Sequence, residues 1–185
     1  MALKIETGTM RGQTYETVND KRTRYTPGKL KQILMNIFDF QEVNLLEVFG
    51  GSGGFSFEAI SNGASSSTII EVNSKTVSSI IKNLNKLKIS NKVQVIKNDF
   101  RKAIPKLKNS EKKFNIVFAD PPFNLGFCND FLEILDKNHE IIISGGYIIL
   151  ERSKRENYNL NLKNFVLDES RNYGEITLDI FKKIK

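Results

Sequence analysis

The most distinctive chemistry in the sequence lies in one short segment, Asp120-Pro121-Pro122-Phe123. Proline fixes φ and has no N–H, so this segment presents backbone carbonyls rather than backbone donors. A carboxylate beside such a carbonyl can accept both hydrogens of a planar amino group and orient its nitrogen for attack on an electrophilic carbon. The phenylalanine ring adds a face on which a flat base stacks. Asp120, Pro121, Pro122 and Phe123 are therefore predicted to be the catalytic residues of an enzyme that modifies an exocyclic base amine.

A glycine-rich turn, Gly50-Gly51-Ser52-Gly53, lies between an apolar stretch and a predicted helix. Glycines let a ligand approach the backbone without a Cβ in the way. The Walker pattern is absent because no Gly-Lys-Ser/Thr follows, and Ser56 stands where the dinucleotide pattern requires a glycine. The turn alone predicts a nucleotide-like ligand and leaves its identity open.

Two acids narrow the choice of ligand. Glu71 ends the apolar run from Thr68 to Val72, where a carboxylate can accept both hydroxyls of a ribose. Asp99 follows the next apolar run, where it can accept from an adenine amino group or cap the following helix. A ribose and an adenine without a phosphate-binding lysine favour S-adenosylmethionine. The predicted cofactor-binding residues are Glu47, Phe49, Gly50, Gly51, Ser52, Gly53, Glu71, Val72, Asp99 and Phe100.

The elements that must position these residues alternate along the chain from Leu45 onwards. Strands are predicted at 45–49, 68–72, 93–96, 114–119 and 147–150, with helices near 55–60, from 74 with Ser74 as the N-cap, near 103–107 and 127–135, and a closing hairpin at 165–169 and 176–181. This alternation predicts an α/β, Rossmann-like fold with a mostly parallel seven-stranded sheet and a C-terminal antiparallel hairpin. The glycine turn and the three acids each end a different strand, so we expect them to meet at one sheet edge.

The N-terminal part of the chain is basic. An extended or hairpin arm is predicted to about Tyr25, followed by a helix with Thr26 as N-cap and Pro27 in its first position. The net charge is +7, and seven of the basic residues precede position 32 against three acids. They are Lys4, Arg11, Lys21, Arg22, Arg24, Lys29 and Lys31. Such a patch attracts a polyanion, so we expect an RNA-facing extension at 1–40 and a catalytic domain at 41–185.

Taken together, these motifs resemble the bacterial 16S rRNA (guanine(966)-N2)-methyltransferases, which are class I S-adenosylmethionine-dependent enzymes. Adenine methyltransferases share the Asp-Pro-Pro-Phe turn in related forms, whereas the N-terminal pattern resembles the ribosomal RNA branch. The resemblance rests on Gly8, Arg11-Gly12, Arg24, Thr26, Lys29, Lys31, Leu34, Asn36, Phe49, Gly51-Ser52-Gly53, Glu58-Ala59, Gly63-Ala64, Glu71, Asn83-Leu84, the 120–123 turn and Tyr173-Gly174.

The resemblance implies a role for each matching segment. The residues at 51–53 would line the methionine end of the cofactor, Glu71 would bind the ribose and Asp99 the adenine, while the 120–123 turn would hold the target guanine. Contacts to RNA phosphates are predicted for Arg11, Arg22, Arg24, Lys29 and Lys31. The sequence departs from the family pattern at four positions outside the turn, Gly28, Glu47, Gly50 and Asn73.

Composition excludes some classes of protein. Cys128 is the single cysteine and His139 the single histidine, which excludes an intrachain disulfide and disfavours a metal site. No apolar run is long enough for a membrane span, so we expect a cytoplasmic protein, a monomer by default, whose partner is ribosomal RNA or an assembling small subunit. A DNA adenine-N6 methyltransferase, a catalytically silent RNA-binding assembly factor and a nicotinamide oxidoreductase remain as alternatives.

Overall fold

The computed structural model describes residues 2–18, 26–158 and 161–184 of the 185-residue chain. The strands are β1 (Ala2–Lys4), β2 (Thr14–Glu16), β3 (Asn44–Val48), β4 (Ser66–Glu71), β5 (Val93–Lys97), β6 (Phe114–Ala119), β7 (Ile142–Ser153), β8 (Phe165–Tyr173) and β9 (Ile176–Lys183). The helices are α1 (Gly28–Ile37), α2 (Gly54–Ser61), α3 (Ser74–Lys86), α4 (Phe100–Leu107) and α5 (Phe127–Lys137), with a 3₁₀ turn at His139–Ile141.

Seven strands form the main sheet in the order β5-β4-β3-β6-β7-β9-β8. The first five of these are parallel to one another, and β9 runs antiparallel between β7 and β8. This arrangement confirms the predicted fold class, including the C-terminal antiparallel hairpin. The order reverses between β3 and β6, which makes their carboxyl ends the switch point where ligands bind in open α/β sheets.

The sheet is covered on both faces, and β6 shows why its sequence is apolar at nearly every position. Ile116 and Phe118 pack into one buried cluster, whereas Val117 and Ala119 pack into the other. Alternate side chains of a strand point to opposite faces, so a central strand needs apolar residues in both registers. Phe55 of α2 stacks on Phe118 with ring centroids 3.9 Å apart. This contact sets α2, and the glycine turn before it, against the middle of the sheet.

The N-terminal arm is part of this packing. β1 and β2 pair antiparallel, and Ile5 and Tyr15 are fully buried together with Leu30 and Leu34 of α1 in the cluster that also contains the apolar side chains of α2. The predicted hairpin arm is thus confirmed. Its inner face contributes to the core of the sheet domain, so the arm and α1 have a fixed position beside α2.

Three local predictions need correction. Pro27, not Thr26, occupies the N-cap of α1, without a side-chain cap bond. Asn73, not Ser74, caps α3, because its Oδ1 accepts the N–H groups of Lys75 and Thr76. β7 begins at Ile142, five residues before the predicted strand. It pairs with β6 at Phe114 and again from Tyr147, with a register shift between.

Within the described ranges, no helix is long and apolar enough to cross a membrane.

Candidate active site

The carboxyl ends of β3, β4 and β6 surround a cleft of about 750 Å³ at the switch point. Its volume falls in the range of about 300–1,000 Å³ that is usual for small-molecule sites. Ten of the fourteen predicted catalytic and cofactor-binding residues line this cleft. They are Phe49, Gly51, Glu71, Val72, Asp99, Phe100, Asp120, Pro121, Pro122 and Phe123. The remaining four, Glu47, Gly50, Ser52 and Gly53, belong to the glycine turn or to the strand before it.

The glycine turn is built to bring backbone close to a ligand. Phe49 and Gly51 both have positive φ, 61° and 52°, and a Cβ on Gly51 would meet no neighbouring atom closer than 3.8 Å. Gly53 has φ 74° and forms the N-cap of α2, where a Cβ would come within 2.9 Å of the Phe57 ring. Gly51 therefore leaves space for a ligand, whereas Gly53 permits the tight entry into the helix.

Glu47 lies beneath this turn and is fully buried by its neighbours. Its Oε2 accepts the N–H of Ser56 at 3.0 Å and also a hydrogen bond from the Ser56 hydroxyl. A carboxylate at the N-terminus of α2 is favoured by the unpaired N–H groups there. Burial nevertheless outweighs these hydrogen bonds and raises the pKa of Glu47 to about 7. Glu47 lines a small neighbouring cavity of about 30 Å³ together with Gly50 and Ser52.

Glu71 lines the cleft at the end of β4, whereas residues 120–123, the target turn, line it after β6. Its Oε2 accepts the N–H of Gly51 at 3.0 Å, and its Oε1 accepts the N–H of Asn73 at 2.7 Å. Each carboxylate oxygen retains acceptor capacity after one such bond. This geometry holds the carboxylate in place and fits the two hydroxyls of a ribose, which supports the sequence-based assignment.

An aromatic wall lies next to Asp99. Phe49 packs on Phe100 with centroids 4.8 Å apart and on Phe127 at 5.9 Å, and the Arg101 guanidinium lies over Phe100 and Phe127. Asp99 caps α4 by accepting the N–H of Arg101 at 2.8 Å, so the helix-cap alternative is confirmed. Apolar rings beside a carboxylate form the type of pocket that holds a purine by stacking and one polar contact.

The target turn follows β6 directly. Asp120 and Phe123 are half-buried in the cleft, Pro121 is buried, and Pro122 is exposed. The Thr26 hydroxyl donates to Asp120 Oδ2 at 3.3 Å, so the residue predicted to cap α1 instead contacts the predicted catalytic acid. The site therefore includes a residue of the N-terminal part of the chain, a contact that no local sequence pattern reveals.

Lys31 is a second correction to the predicted site. Its side chain is 4% exposed, and its Nζ donates to the Tyr15 hydroxyl at 2.9 Å and pairs with Glu58 Oε1 at 3.3 Å. Burial disfavours the charged form, but Tyr15 and Glu58 outweigh it and raise the pKa of Lys31. The prediction that Lys31 contacts RNA is wrong, because this ammonium group is inside the protein and fixes the arm to α2.

The other predicted RNA-binding residues are exposed or lie outside the described residues. Arg11 and Lys29 are exposed, whereas Arg22 and Arg24 fall in the segment 19–25, which the structure does not describe. Lys29 is in the first turn of α1, three residues after Thr26, whose hydroxyl donates to Asp120. The N–H of Met10, beside Arg11, donates to Ser61 Oγ at the far end of α2, about 12 Å along the helix from the glycine turn. Lys29 is thus near in sequence to a residue that contacts the predicted catalytic acid, whereas Arg11 follows a residue bonded to the far end of α2.

Comparison with known proteins decides the family. The model of the family described as "Conserved hypothetical protein 95" matches residues 3–182 of this chain. The chain belongs to this family. Its relatives include ribosomal RNA small subunit methyltransferase D of Escherichia coli K12, 32% identical over 141 residues that cover 74% of this chain and 68% of that protein. The protein of the same name from Buchnera aphidicola subsp. Baizongia pistaciae is also 32% identical over 141 residues, which cover 75% and 70% of the two chains.

Solved structures agree on the fold of this conserved hypothetical protein 95 family member. A hypothetical protein of Thermus thermophilus superimposes with a TM-score of 0.81 at 23% identity, covering 96% of this chain and 98% of that one. An RNA methyltransferase from Salinibacter ruber in complex with S-adenosyl-L-homocysteine gives 0.65 at 17% identity, covering 88% and 95%. The family resemblance and the class I S-adenosylmethionine-dependent methyltransferase fold predicted from the sequence are both confirmed.

Several cleft residues were not predicted. Asn73, Thr76, Asn98, Arg101, Leu125 and Phe127 also line the cleft. Asn98 immediately precedes the predicted Asp99, and Phe127 begins the predicted helix at 127–135. The rule that ligands bind beyond strand ends therefore indicates the region in which both residues lie. Leu125 is 66% exposed beside the target turn, and an exposed leucine carries no sequence signal of its own. Among the residues that the structure describes, no group of three or more His, Cys, Asp and Glu side chains is arranged to hold a metal ion.

Proposed function

We propose that this protein transfers a methyl group from S-adenosylmethionine to the exocyclic N2 of a guanine in small-subunit ribosomal RNA. The observation that carries the proposal is that Glu71, Asp99 and the 120–123 turn line one cleft. The residues that would hold an adenosine and those that would hold a base amine therefore line the same cleft. The names of the relatives, ribosomal RNA small subunit methyltransferase D, support ribosomal RNA as the substrate.

The residues present fit the cofactor. Glu71 would accept the ribose hydroxyls, and Asp99 with the Phe49 and Phe100 rings would hold the adenine. The open space above Gly51 would take the methionine end, with Ser52 beside it. When bound, S-adenosylmethionine would supply its sulfonium methyl group: the N–CH3 bond forms as the S–CH3 bond breaks, S-adenosylhomocysteine is released, and the target nitrogen loses one proton. No phosphate-binding group and no metal is needed for this chemistry.

The 120–123 turn would act by holding the target amine. The lone pair of an exocyclic guanine amine is delocalised into the ring, so the nitrogen is a weak nucleophile. Asp120 and a proline carbonyl would each accept a hydrogen bond from one of its two N–H groups. These hydrogen bonds would orient the nitrogen and favour the pyramidal geometry of the transition state. Phe123 would stack on the base. An amine paired inside a helix is inaccessible, so we expect the guanine to be flipped out of the stack.

The basic surface would bind the RNA backbone. Lys29 lies three residues after Thr26, which contacts Asp120, and Arg11 extends the charge over the arm, so these two side chains would contact phosphates. Naked ribosomal RNA or an assembling small subunit would be the partner. We propose that residues 1–40 serve as an RNA-facing extension of the catalytic domain at 41–185, with the protein acting as a cytoplasmic monomer.

A substrate competition assay tests the proposal. Purified protein and labelled S-adenosylmethionine are incubated with small-subunit RNA lacking modifications, with small-subunit particles and with adenine-containing duplex DNA. We expect label in RNA or particles and none in the duplex. Label in the duplex alone would establish the adenine-N6 alternative, and cofactor binding without label in any substrate would indicate an RNA-binding assembly factor.

A further inference from the structure

A buried carboxylate that does not line the cleft contacts the residue that follows the target turn. Glu156 lies in the loop after β7, and its Oε2 accepts the N–H of Asn124 at 3.0 Å. Asn124 directly follows Phe123. Glu156 is only 8% exposed, although a glutamate is rarely buried without a specific partner. This contact has no place in the cofactor and target contacts described above.

The target turn needs support of this kind. Pro121 and Pro122 have no N–H, so two successive residues of the turn cannot donate backbone hydrogen bonds. Asn124 has φ 59°, a left-handed conformation that is uncommon for a non-glycine residue, and Gly126 follows with φ 75°. An uncommon backbone conformation persists only where surrounding groups fix it. The bond from Asn124 to Glu156 ties this backbone to the rest of the domain.

The position of Glu156 is itself fixed. The Arg152 guanidinium donates to the Glu156 carbonyl at 2.8 Å and to Asp179 Oδ2 at 2.6 Å, and Asp179 is fully buried. Tyr158 donates to the same Asp179 oxygen at 2.7 Å. This chain of contacts runs from β9, through β7 and its following loop, to the turn. Glu156 is therefore held by the sheet, and through it the turn is held as well.

Cys128, in the first turn of α5, lies near the same carboxylate. Burial and the Glu156 carboxylate raise the pKa of the Cys128 thiol. The second carboxylate oxygen of Glu156, Oε1, is buried and accepts no hydrogen bond within the part of the chain that the structure describes. The bond from the Asn124 N–H to Oε2 is therefore the hydrogen bond by which this carboxylate holds the turn.

We propose that Glu156 is a positioning residue for methyl transfer, which holds the Asp120-to-Phe123 turn in the geometry that accepts the target amine. The inference rests on the proposed function and deepens it. Reaction rates depend steeply on geometry, since a misplacement of about 1 Å costs up to about a hundredfold in rate. Removing the Asn124 contact should therefore lower kcat, because the acid and the carbonyl would no longer be held at a fixed separation.

Two near-isosteric substitutions test the role. Glu156→Gln keeps an amide oxygen that can accept the Asn124 N–H, whereas Glu156→Met keeps the length of the side chain and removes that acceptor. Glu133→Gln, an exposed carboxylate on α5, is the matched control. We expect kcat near the wild-type value for Glu156→Gln and Glu133→Gln. For Glu156→Met we expect a decrease of about ten- to a hundredfold, with the affinity for S-adenosylmethionine and the melting temperature much less affected.

A second readout needs no substrate. Hydrogen exchange of the Asn124 amide should be slow in the wild type and in Glu156→Gln, and much faster in Glu156→Met. If wild-type protein methylates no RNA, the proposed function fails, but the exchange experiment still decides the positioning role. The inference is overturned if Asn124 exchanges equally in all variants, or if Glu156→Met keeps the wild-type kcat. A parallel loss of cofactor affinity would also overturn it, since that result indicates general damage to the fold.

Discussion

Replacing Glu71 with alanine should weaken cofactor binding and leave catalysis by the bound complex nearly intact. Both oxygens of Glu71 are already oriented by backbone N–H groups, from Gly51 at 3.0 Å and Asn73 at 2.7 Å. The carboxylate therefore needs no rearrangement to accept two ribose hydroxyls. Alanine would remove the acceptor for both ribose hydroxyls, while the Gly50 N–H would still donate to the Ile70 carbonyl at 3.0 Å and hold the glycine turn to β4.

The expected size follows from the strength of such bonds. A hydrogen bond to a charged group contributes about 1.5–3 kcal/mol. Glu71 is half-exposed, and water replaces part of what is lost, so we take the value for one bond rather than two. This corresponds to a Kd for S-adenosylmethionine about 10- to 100-fold higher. Glu71→Gln should fall between wild type and alanine, because its amide nitrogen would face one of the two backbone N–H donors.

Isothermal titration with S-adenosylmethionine and S-adenosylhomocysteine measures this effect, with kcat determined at saturating cofactor. Glu133→Ala is the control for removing an exposed acid, and thermal unfolding shows whether the variants remain folded. The ribose assignment would be refuted by an unchanged Kd in folded Glu71→Ala protein. It would also be refuted by a large loss of kcat at saturating cofactor with no change in Kd.

Four further substitutions separate chemistry, RNA binding and stability. Asp120→Asn should lower kcat by about a hundredfold or more with cofactor affinity preserved; an equal loss in titration and turnover would contradict its role. Arg11→Glu should flatten the salt dependence of RNA binding by about one unit of slope, whereas Lys31→Met should leave that slope unchanged and lower the free energy of unfolding by about 3 kcal/mol or more. RNA binding at several salt concentrations and urea unfolding measure these two outcomes. A changed salt slope for Lys31→Met would show that Lys31 contacts RNA. Burial raises the pKa of Glu47 from 4.5 to about 7, so the folded protein binds this proton more tightly than the unfolded chain does. The stability of the wild type relative to Glu47→Gln should therefore fall by up to about 3 kcal/mol as the pH rises from 4.5 to 7, and stay constant above that range. A pH-independent difference in urea unfolding between the two proteins would contradict this prediction.

The sheet and most of the cofactor site could be predicted because they depend on local patterns. Central strands such as β6 must be apolar in both registers, and polar residues at the ends of parallel strands are brought to one edge by the topology. Glu71, Asp99 and Asp120 could be placed together on this basis alone. Each of these three residues lies at the end of a strand or just after it, and all three line one cleft in the structure.

The contacts that could not be predicted join segments far apart in sequence. Lys31 occupies a position that the helical pattern assigns to the polar face, but Tyr15 and Glu58 approach it there from the arm and α2. Thr26 has the residue type of a helix cap, yet it bonds Asp120, 94 positions away. Glu156 reaches the turn through a loop whose sequence has no motif. The type and sequence position of Lys31 therefore predict an RNA contact, whereas tertiary packing places this side chain inside the protein.

Nucleoside analysis of the methylated product identifies the base and the atom that receive the methyl group. Small-subunit RNA and particles are incubated with S-adenosylmethionine and either wild-type protein or Asp120→Asn, then digested and separated by mass spectrometry. We expect N2-methylguanosine from the wild type and almost none from Asp120→Asn. N6-methyladenosine in place of N2-methylguanosine, or equal yields of N2-methylguanosine from both proteins, would refute the proposed function.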